Sequence, residues 1–184
     1  MRIFLIGFMG SGKSSLGAAI AEDLELRFID LDKSVETLAG KDMPTIFKTD
    51  GETHFRELEA KALRQQLKEE DFVMACGGGT PIYSDNMDAM NEAGVTIYLK
   101  LSTDTLTERL AAETESRPLL NDLKGHELWT FVHENLTERE PFYLKAKYKV
   151  KAKDLKAAEL VEFIRLYELQ DEEVVESKSD EEEE

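Results

Sequence analysis

The chain has 184 residues, and its 39 acidic and 23 basic side chains give a net charge of −16. No apolar run approaches the roughly 20 residues of a membrane span, and the acidic balance argues against nucleic-acid binding. The single cysteine, Cys76, excludes an internal disulfide framework. The short apolar start runs into a glycine loop rather than a signal-peptide cleavage site. We therefore expect a cytoplasmic protein without membrane or nucleic-acid partners.

The negative charge is concentrated at one end of the chain. Residues 171–184 contain nine acidic residues, one lysine and no aromatic residue, which gives them a net charge of −8. A segment of this composition cannot bury enough apolar surface to fold. We therefore predict a compact domain over residues 1–170, followed by a disordered acidic tail over residues 171–184.

Apolar periodicity switches repeatedly between strand-like and helix-like spacing. Short apolar runs predict strands at residues 2–6, 27–29, 72–76, 95–99 and 148–150. Helical spacing predicts helices at residues 14–24, 32–38, 43–47, 52–67, 84–93 with Ser84 as N-cap, 102–113, 126–138, 141–146 and 154–169. Residues 116–125 contain a proline and a glycine and predict a loop. Alternating strands and helices are typical of βαβ units, so we expect an α/β fold with a parallel sheet covered on both faces.

The segment Gly7–Ser14 matches the phosphate-binding pattern G-x-x-x-x-G-K-[ST], with a predicted strand before it and a predicted helix after it. Its glycines let backbone N–H groups curl around a phosphate, and the helix start favours negative charge. Lys13 supplies a positive charge at the β- and γ-phosphates, and the Ser14 hydroxyl ligates Mg²⁺. The pattern predicts a purine triphosphate ligand, bound by Gly10, Ser11, Gly12, Lys13, Ser14 and Ser15.

Two other classes of nucleotide-binding protein fit the sequence less well. A GTPase switch carries Asn-Lys-x-Asp after a strand, and the nearest string here, Ser177–Asp180, lies in the acidic tail. A helicase or motor ATPase needs a longer chain and an apolar run that ends in Asp. Here the apolar run at residues 72–76 continues into Gly77, Gly78 and Gly79.

Asp30 and Asp32 follow the second predicted strand and are the candidates for a further acidic group. They fall at the carboxyl edge of the sheet, where α/β proteins bind ligands. Residues two apart in an extended chain point to the same side. One carboxylate can therefore face a metal ion while the other faces a substrate hydroxyl.

Three arginines and the glycine run are candidates for binding an acceptor. Arg56, Arg117 and Arg139 are notable because arginine forms planar two-bond forks with carboxylates and phosphates. The run Gly77–Gly79 lets a compact ligand approach backbone N–H groups closely. These arginines and glycines suit the binding of a small acceptor that carries both a hydroxyl and an acid group.

Together these motifs resemble those of the shikimate kinases over roughly residues 1–150. In chain order they are Gly7–Ser14, Asp30-x-Asp32, Gly51-Glu-x-x-Phe55-Arg56-x-x-Glu59, Gly77-Gly78-Gly79, Arg117-Pro-Leu-Leu120 and Arg139-x-x-x-Tyr143. The resemblance implies a three-layer P-loop NTPase fold with a five-stranded parallel sheet in the order 2-3-1-4-5, flanked by helices. It also implies a shikimate-binding segment at about residues 32–62 and a lid loop at about residues 112–124. The activity it implies is transfer of the γ-phosphate of ATP to the 3-hydroxyl of shikimate, in the synthesis of chorismate and the aromatic amino acids.

On the acceptor side, the resemblance implies that Asp32 binds the shikimate hydroxyls and acts as a base. Arg56 and Arg139 are expected to clamp the shikimate carboxylate. The backbone of Gly77, Gly78 and Gly79 is expected to contact the same substrate.

On the nucleotide side, the resemblance implies that Asp30 holds Mg²⁺ through water, next to Ser14. Arg117 is expected to close on the phosphates as part of the lid, and Arg109 to stack near adenine. The implied catalytic residues are Asp32, Lys13 and Arg117. We expect a monomer that uses ATP and shikimate as substrates and Mg²⁺ as cofactor.

Two positions depart from the family pattern. Cys76 stands where the family often has threonine or serine, so a hydroxyl that could hold water around Mg²⁺ is missing. Residues Lys151–Asp154 do not align with the usual loop beside adenine.

Another small-molecule kinase of the same fold, for gluconate or a nucleoside monophosphate, is the nearest alternative function. The two arginines and three glycines favour a cyclic hydroxy acid as the acceptor. A non-catalytic nucleotide-binding module would need neither Asp32 nor the arginine pair.

Overall fold

The computed structural model describes residues 1–112, 120 and 123–166. Five parallel strands form a single sheet, namely β1 (Arg2–Ile6), β2 (Arg27–Asp30), β3 (Phe72–Ala75), β4 (Val95–Lys100) and β5 (Tyr148–Lys151). Their spatial order is β2-β3-β1-β4-β5. The predicted α/β class, the five strands and the order 2-3-1-4-5 are therefore confirmed.

Helices flank this sheet and connect its strands. They are α1 (Lys13–Asp23), α2 (Leu31–Ala39), α3 (Met43–Thr49), α4 (Gly51–Gln66), α5 (Asn86–Ala93), α6 (Thr103–Ala112), α7 (His126–Tyr143) and α8 (residues 157–166). A short 3₁₀ turn at Thr80–Ile82 lies between β3 and α5. In the part of the chain that the structure describes, no helix has the length and apolar character needed to cross a membrane.

The central strand β1 is completely buried over four consecutive residues. Ile3, Phe4, Leu5 and Ile6 are all 0% exposed. Strands of a parallel sheet that is covered on both faces are apolar throughout rather than alternating, which is the pattern of β1. Burying each such side chain contributes about 1.5–3 kcal/mol. The loop that follows β1 therefore starts from a buried strand that is hydrogen-bonded to β3 on one side and to β4 on the other.

The carboxyl ends of the strands bring together the segments singled out in the sequence. The loop before Lys13 follows β1, Asp30 ends β2, and Gly77 lies two residues beyond β3. Ala152 and the residues after it follow β5. Because the strands are parallel, all these segments emerge at one edge of the sheet, which is where α/β folds form their ligand sites.

The start of α5 differs from the prediction. Ser84 is not the N-cap, because its backbone has a φ of 55°, in the left-handed region. The helix instead begins at Asn86 after Asp85, whose side chain makes no capping bond. The Asp85 carboxylate pairs with the guanidinium of Arg64 on α4. A contact with a distant helix has therefore replaced the local cap that the sequence suggested.

The two helices predicted at residues 126–138 and 141–146 are one helix, α7, with Pro141 inside it. Proline removes a backbone donor and breaks helix interiors. Here the helix ends two residues later, at Tyr143, so the missing donor affects only its last turn. The sequence pattern overstated the effect of a proline so close to a helix end.

The C-terminal helix is shorter than predicted. The segment predicted as helical from residue 154 becomes helical only at residue 157, because Asp154 has a φ of 60° and cannot join it. Residues 167–169 lie outside the described part of the chain, as does the predicted tail at residues 171–184. Of the predicted lid at about residues 112–124, the structure describes Ala112, Leu120, Leu123 and Lys124.

Candidate active site

A cleft of about 700 Å³ opens at the carboxyl edge of the sheet. Its walls are the loop after β1 with the start of α1, the start of α2, the glycine run after β3, one residue of α6 and the segment after β5. The lining residues include Met9–Leu16, Asp30, Asp32, Gly77, Gly78, Arg109, Ala152, Asp154 and Leu155. The cleft therefore combines the predicted nucleotide-binding loop with both predicted carboxylates.

The phosphate loop has the backbone conformation that its glycines predict. Gly10 and Gly12 have φ values of 77° and 90°, in the left-handed region that other residues rarely adopt. Gly12 also occupies the N-cap position of α1. The Lys13 ammonium donates to the carbonyl oxygens of Gly7 at 2.9 Å and Phe8 at 2.8 Å. The loop thus wraps around its own lysine at the start of a helix, where backbone N–H groups favour an anion.

Ser14 and Asp30 join the phosphate loop to the end of β2. The Ser14 hydroxyl donates to Asp30 Oδ2 at 3.0 Å. The other oxygen of Asp30 caps α2 by accepting from the backbone N–H groups of Asp32 at 3.1 Å and Lys33 at 3.4 Å. One oxygen of Asp30 therefore fixes its orientation while the second faces Ser14. A hydroxyl and a carboxylate oxygen are the hard donors that Mg²⁺ prefers.

Asp32 carries a strongly perturbed carboxyl group. The pKa of Asp32 is raised from 3.8 to about 6, mainly by burial and also by the neighbouring carboxylates of Asp30 and Glu59. The positive charges of Lys13 and Arg56 oppose this rise. Asp32 therefore stands within electrostatic range of both the phosphate-loop lysine and an arginine of the predicted acceptor pocket. A pKa near 6 suits a group that accepts a proton near neutral pH.

Arg56 on α4 is held from several sides. Its Nη1 donates to Glu59 at 3.0 Å and its Nη2 to Glu52 at 3.1 Å. The aromatic ring of Tyr83 lies 4.2 Å and that of Phe55 4.8 Å from its guanidinium carbon. The Nε of Arg56 is buried without a partner among the described residues. The guanidinium is therefore fixed in orientation and keeps donor capacity for a further group.

The glycine run is packed against charged side chains. A Cβ at Gly79 would lie 2.5 Å from both terminal nitrogens of Arg56, which is too close for any side chain. A Cβ at Gly77 would lie 2.9 Å from Glu59 Oε1 and 3.0 Å from Asp32 Oδ1. The absence of side chains therefore lets the carboxylates and the arginine approach this backbone.

Arg139 approaches the same glycine run from α7. Its Nη2 donates to Asn135 at 3.1 Å, and its guanidinium carbon lies 5.6 Å from the ring centre of Phe8. A Cβ at Gly78 would lie 3.6 Å from Arg139 Nη1. Arg56 and Arg139 thus meet the glycine run at neighbouring residues, and the structure brings the two predicted clamp residues together there.

The nucleotide end of the cleft contains Arg109 of α6. Its Nη1 donates to the carbonyl of Gly10 at 3.4 Å. Ala152, Asp154 and Leu155 line the same cleft. Ala152 and Asp154 belong to the segment that departs from the family pattern, and the fold places this segment in the wall of the cleft. Arg117 falls outside the described residues.

Cys76 contributes a buried thiol where a hydroxyl was expected from the family pattern. Its Sγ lies 3.5 Å from the sulfur of Met90 on α5. Burial raises the pKa of the Cys76 thiol well above its usual range. The side chain is therefore neutral and turned toward an apolar neighbour.

Comparison with known proteins agrees with this geometry. The family model described as shikimate kinase matches residues 9–170. The chain belongs to the shikimate kinase family. The predicted fold and ATP-dependent phosphotransferase class are thereby confirmed.

Members of the shikimate kinase family align with nearly the whole domain. The shikimate kinase of Phocaeicola vulgatus is 46% identical over 154 residues, covering 84% of this chain and 88% of the relative. A crystal structure of shikimate kinase from Bacteroides thetaiotaomicron has a TM-score of 0.83 at 38% identity and covers 93% of this chain and 98% of that one. The shikimate kinase of Acinetobacter baumannii, solved in complex with shikimate, has a TM-score of 0.80 at 29% identity, covering 92% and 93% of the two chains.

Several residues that shape this shikimate kinase site received no role from the sequence. Glu59 is 0% exposed and accepts from Thr80 at 2.6 Å as well as from Arg56. Its spacing of three residues from Arg56 on a predicted helix was the available signal, because such residues are neighbours on the helix surface. Tyr143 donates to the Gly78 carbonyl at 2.6 Å. Tyr143 belonged to the motif Arg139-x-x-x-Tyr143, but its partner Gly78 is 65 positions away. No local pattern linked Thr80 to the site, because its partner Glu59 is 21 positions away.

Proposed function

We propose that this protein transfers the γ-phosphate of ATP to the 3-hydroxyl of shikimate, giving shikimate 3-phosphate and ADP. Beyond family membership, the proposal is carried by one observation, the position of Asp32 within range of both Lys13 and Arg56. Lys13 belongs to the phosphate loop, and Arg56 belongs to the acceptor pocket. A carboxylate between them is where the attacking hydroxyl of an acidic acceptor and the terminal phosphate would meet.

Asp32 orients the attacking hydroxyl and accepts its proton. With a pKa of about 6, the Asp32 carboxylate is mostly ionised at neutral pH and can still take up a proton as the new bond forms. Phosphoryl transfer passes through a loose transition state, so positioning and charge neutralisation account for most of the catalysis. The role of Asp32 is therefore mainly to align the hydroxyl with the phosphate.

Lys13 binds the β- and γ-phosphates of ATP and neutralises part of their charge. Gly10, Ser11, Gly12, Ser14 and Ser15 supply the remaining contacts of the loop. Arg109 borders adenine, and its bond to the Gly10 carbonyl supports this by tying α6 to the loop. Arg117, in the segment between α6 and α7, closes over the phosphates and excludes water, which suppresses hydrolysis of ATP.

Ser14 and Asp30 hold Mg²⁺, Asp30 through a water molecule. Their 3.0 Å contact and their hydroxyl and carboxylate oxygens suit this ion. Among the described residues no cluster of three or more His, Cys, Asp or Glu side chains could hold a metal on its own. This fits an ion that is bound by one or two protein groups together with substrate phosphates and water. When bound, Mg²⁺ neutralises charge on the transferred phosphate.

Arg56 and Arg139 bind the carboxylate of shikimate, and the backbone of Gly77, Gly78 and Gly79 contacts its ring. The support is the convergence of both arginines on this glycine run. We further propose that the protein acts as a monomer in the cytoplasm, in the pathway to chorismate and the aromatic amino acids.

A coupled assay of ADP release tests the proposal. Shikimate, gluconate and AMP are offered separately as acceptors to the purified protein with ATP and Mg²⁺. We expect rapid release with shikimate alone and almost none in the Lys13→Ala variant, which should stay folded. Preference for gluconate or AMP would identify a different kinase of this fold. No release with any acceptor would leave only a nucleotide-binding module.

A further inference from the structure

Tyr143 connects the last turn of α7 to the glycine run. Its side chain is 0% exposed, and its hydroxyl donates a hydrogen bond of 2.6 Å to the backbone carbonyl of Gly78. The two residues are 65 positions apart in the sequence. The carbonyl is partly buried, and a partly buried carbonyl that loses its donor is destabilised, so this bond holds the backbone of Gly78 at a fixed distance from α7.

The same hydroxyl also interacts with Arg139. Arg139 lies four residues before Tyr143, so both side chains lie on one face of α7. The charge of Arg139 acts on the tyrosine hydroxyl, and Arg139 Nη1 would lie 3.6 Å from a Cβ at Gly78. The hydroxyl of Tyr143 therefore binds the glycine run from the same helix face that carries Arg139.

We propose that Tyr143 is a positioning residue for the acid-binding end of the site, which fixes Arg139 relative to the Gly78 backbone. This inference rests on the proposed function, because it assumes that these two groups bind a carboxylate-bearing acceptor. A clamp made of a side chain and a backbone segment works only if the distance between them is set before the substrate arrives. The Tyr143 hydroxyl is the group that sets it.

The protonation state of Tyr143 suits this role. Burial raises the pKa of Tyr143 to about 12, while the charges of Arg139 and Arg56 act in the opposite direction. The hydroxyl is therefore protonated throughout the neutral range and always able to donate to Gly78. It is not a group that exchanges protons with the substrate.

Tyr98 on β4 provides a matched control. Its ring centre lies 5.2 Å from that of Tyr143, and its side chain is 1% exposed. Its hydroxyl, however, donates to Glu140 at 3.2 Å rather than to the glycine run. Tyr98→Phe and Tyr143→Phe thus each remove one hydroxyl from the same pair of packed rings, and only the second removes a contact with the acceptor pocket.

The test compares steady-state kinetics of the two variants with those of the wild-type enzyme. We expect Tyr143→Phe to raise the KM for shikimate about three- to tenfold, the effect of one lost hydrogen bond, with kcat and the KM for ATP changed less than about twofold. Tyr98→Phe should leave all three constants within about twofold of wild type. Its melting temperature should fall by about as much as that of Tyr143→Phe. Replacing Tyr143 with 4-aminophenylalanine, which keeps a donor, should restore the KM for shikimate.

A double-mutant cycle with Arg139→Ala separates positioning from general packing. If Tyr143 acts through Arg139, adding Tyr143→Phe to Arg139→Ala should raise the KM for shikimate by less than about twofold further. Full additivity of the two effects would overturn the proposal, as would an unchanged KM in Tyr143→Phe or an equal rise in Tyr98→Phe. If Tyr143→Phe is too unstable to assay, a raised KM for shikimate in the 4-aminophenylalanine variant overturns it instead. Failure of the wild-type enzyme to use shikimate at all would refute the proposed function, which is a different result.

Discussion

The hydroxyl of Thr80 donates a hydrogen bond of 2.6 Å to the buried carboxylate of Glu59. Thr80 begins the 3₁₀ turn after the glycine run, and Glu59 lies on α4. The second oxygen of Glu59 accepts from Arg56 at 3.0 Å. Glu59 thereby ties Arg56, which we propose binds the acceptor, to the segment that follows the glycines, and its charge acts on Asp32 as well.

Replacing Glu59 with glutamine should alter the pH dependence of the enzyme. The Glu59 carboxylate is one of the groups that raise the pKa of Asp32, so its neutralisation should lower that pKa. The acid limb of the profile of kcat/KM should therefore move to lower pH, and the KM for shikimate should rise because Arg56 loses a charged partner. Steady-state kinetics between pH 5 and 9 measure both effects.

Glu57→Gln is the matched control for this prediction. Glu57 lies on the same helix, two residues from Glu59, but its side chain is 72% exposed. Its removal should leave the acid limb in place. An acid limb that stays fixed in Glu59→Gln would show that Glu59 does not influence the reacting carboxylate.

Asp32→Asn should abolish most activity and at the same time stabilise the fold. Loss of the base should lower kcat about 100-fold or more. The pKa of Asp32 is raised from 3.8 to about 6, so the folded state binds its proton more tightly than the unfolded state does. Stability due to this group is therefore present at low pH and is lost as the pH rises from about 4 to 6.

The asparagine variant lacks this titration, so at pH 7.5 it should be more stable than wild type by up to about 3 kcal/mol. The gain should shrink as the pH falls toward 4. Urea unfolding of both proteins at several pH values measures this difference in stability. The measurements near pH 4, where the difference should be small, are the control for those at pH 7.5. A variant that is inactive and also less stable at pH 7.5 would contradict the assignment of a strained, buried carboxylate.

Lys13 and Thr80 differ in whether their place in the site could be predicted from the local sequence. Lys13 lies in a contiguous motif whose strand and helix neighbours are visible in the sequence, so the loop, its lysine and the position of Ser14 at the helix start could be predicted together. Thr80 acts through a bond to a residue 21 positions away, on another element. Such pairs depend on how α4 packs against the sheet, and no local pattern encodes that packing.

The same distinction explains the errors in secondary structure. Ser84 was a plausible cap by residue type, yet its backbone is left-handed and the following Asp85 pairs with Arg64 instead. Pro141 was a plausible helix break, yet it lies in the final turn, where little helix remains to be lost. At Ser84 tertiary context overrode a local preference, and at Pro141 the position within the helix decided the outcome. The strands, in contrast, were each predicted to within one residue at either end.

Arg139→Ala should mainly weaken the binding of the acidic substrate. Loss of one charged hydrogen-bonding partner should raise the KM for shikimate roughly 10- to 100-fold, with a smaller effect on the KM for ATP. Arg27→Ala is the control, because Arg27 is exposed on β2. Within the described residues, its side chain donates a hydrogen bond to Gln66 and to no other residue. A kcat that collapses while the KM for shikimate stays constant would mean that Arg139 acts on the transferred phosphate instead.

Deletion of residues 171–184 should leave catalysis intact. The family match ends at residue 170, so the deleted segment lies beyond the part shared with other shikimate kinases. The segment carries a net charge of −8, half of the total, and both substrates are anions. Its field can therefore only oppose their binding, and salt at about 0.15 M screens that field beyond roughly 8 Å. At this ionic strength we expect kcat and both KM values within about twofold of those of the undeleted enzyme. A large fall in turnover would mean that the acidic segment contributes to the active site.

At low salt the truncated enzyme should have a lower KM for ATP than the undeleted enzyme, because ATP then binds to Lys13 and its neighbours without a competing negative charge.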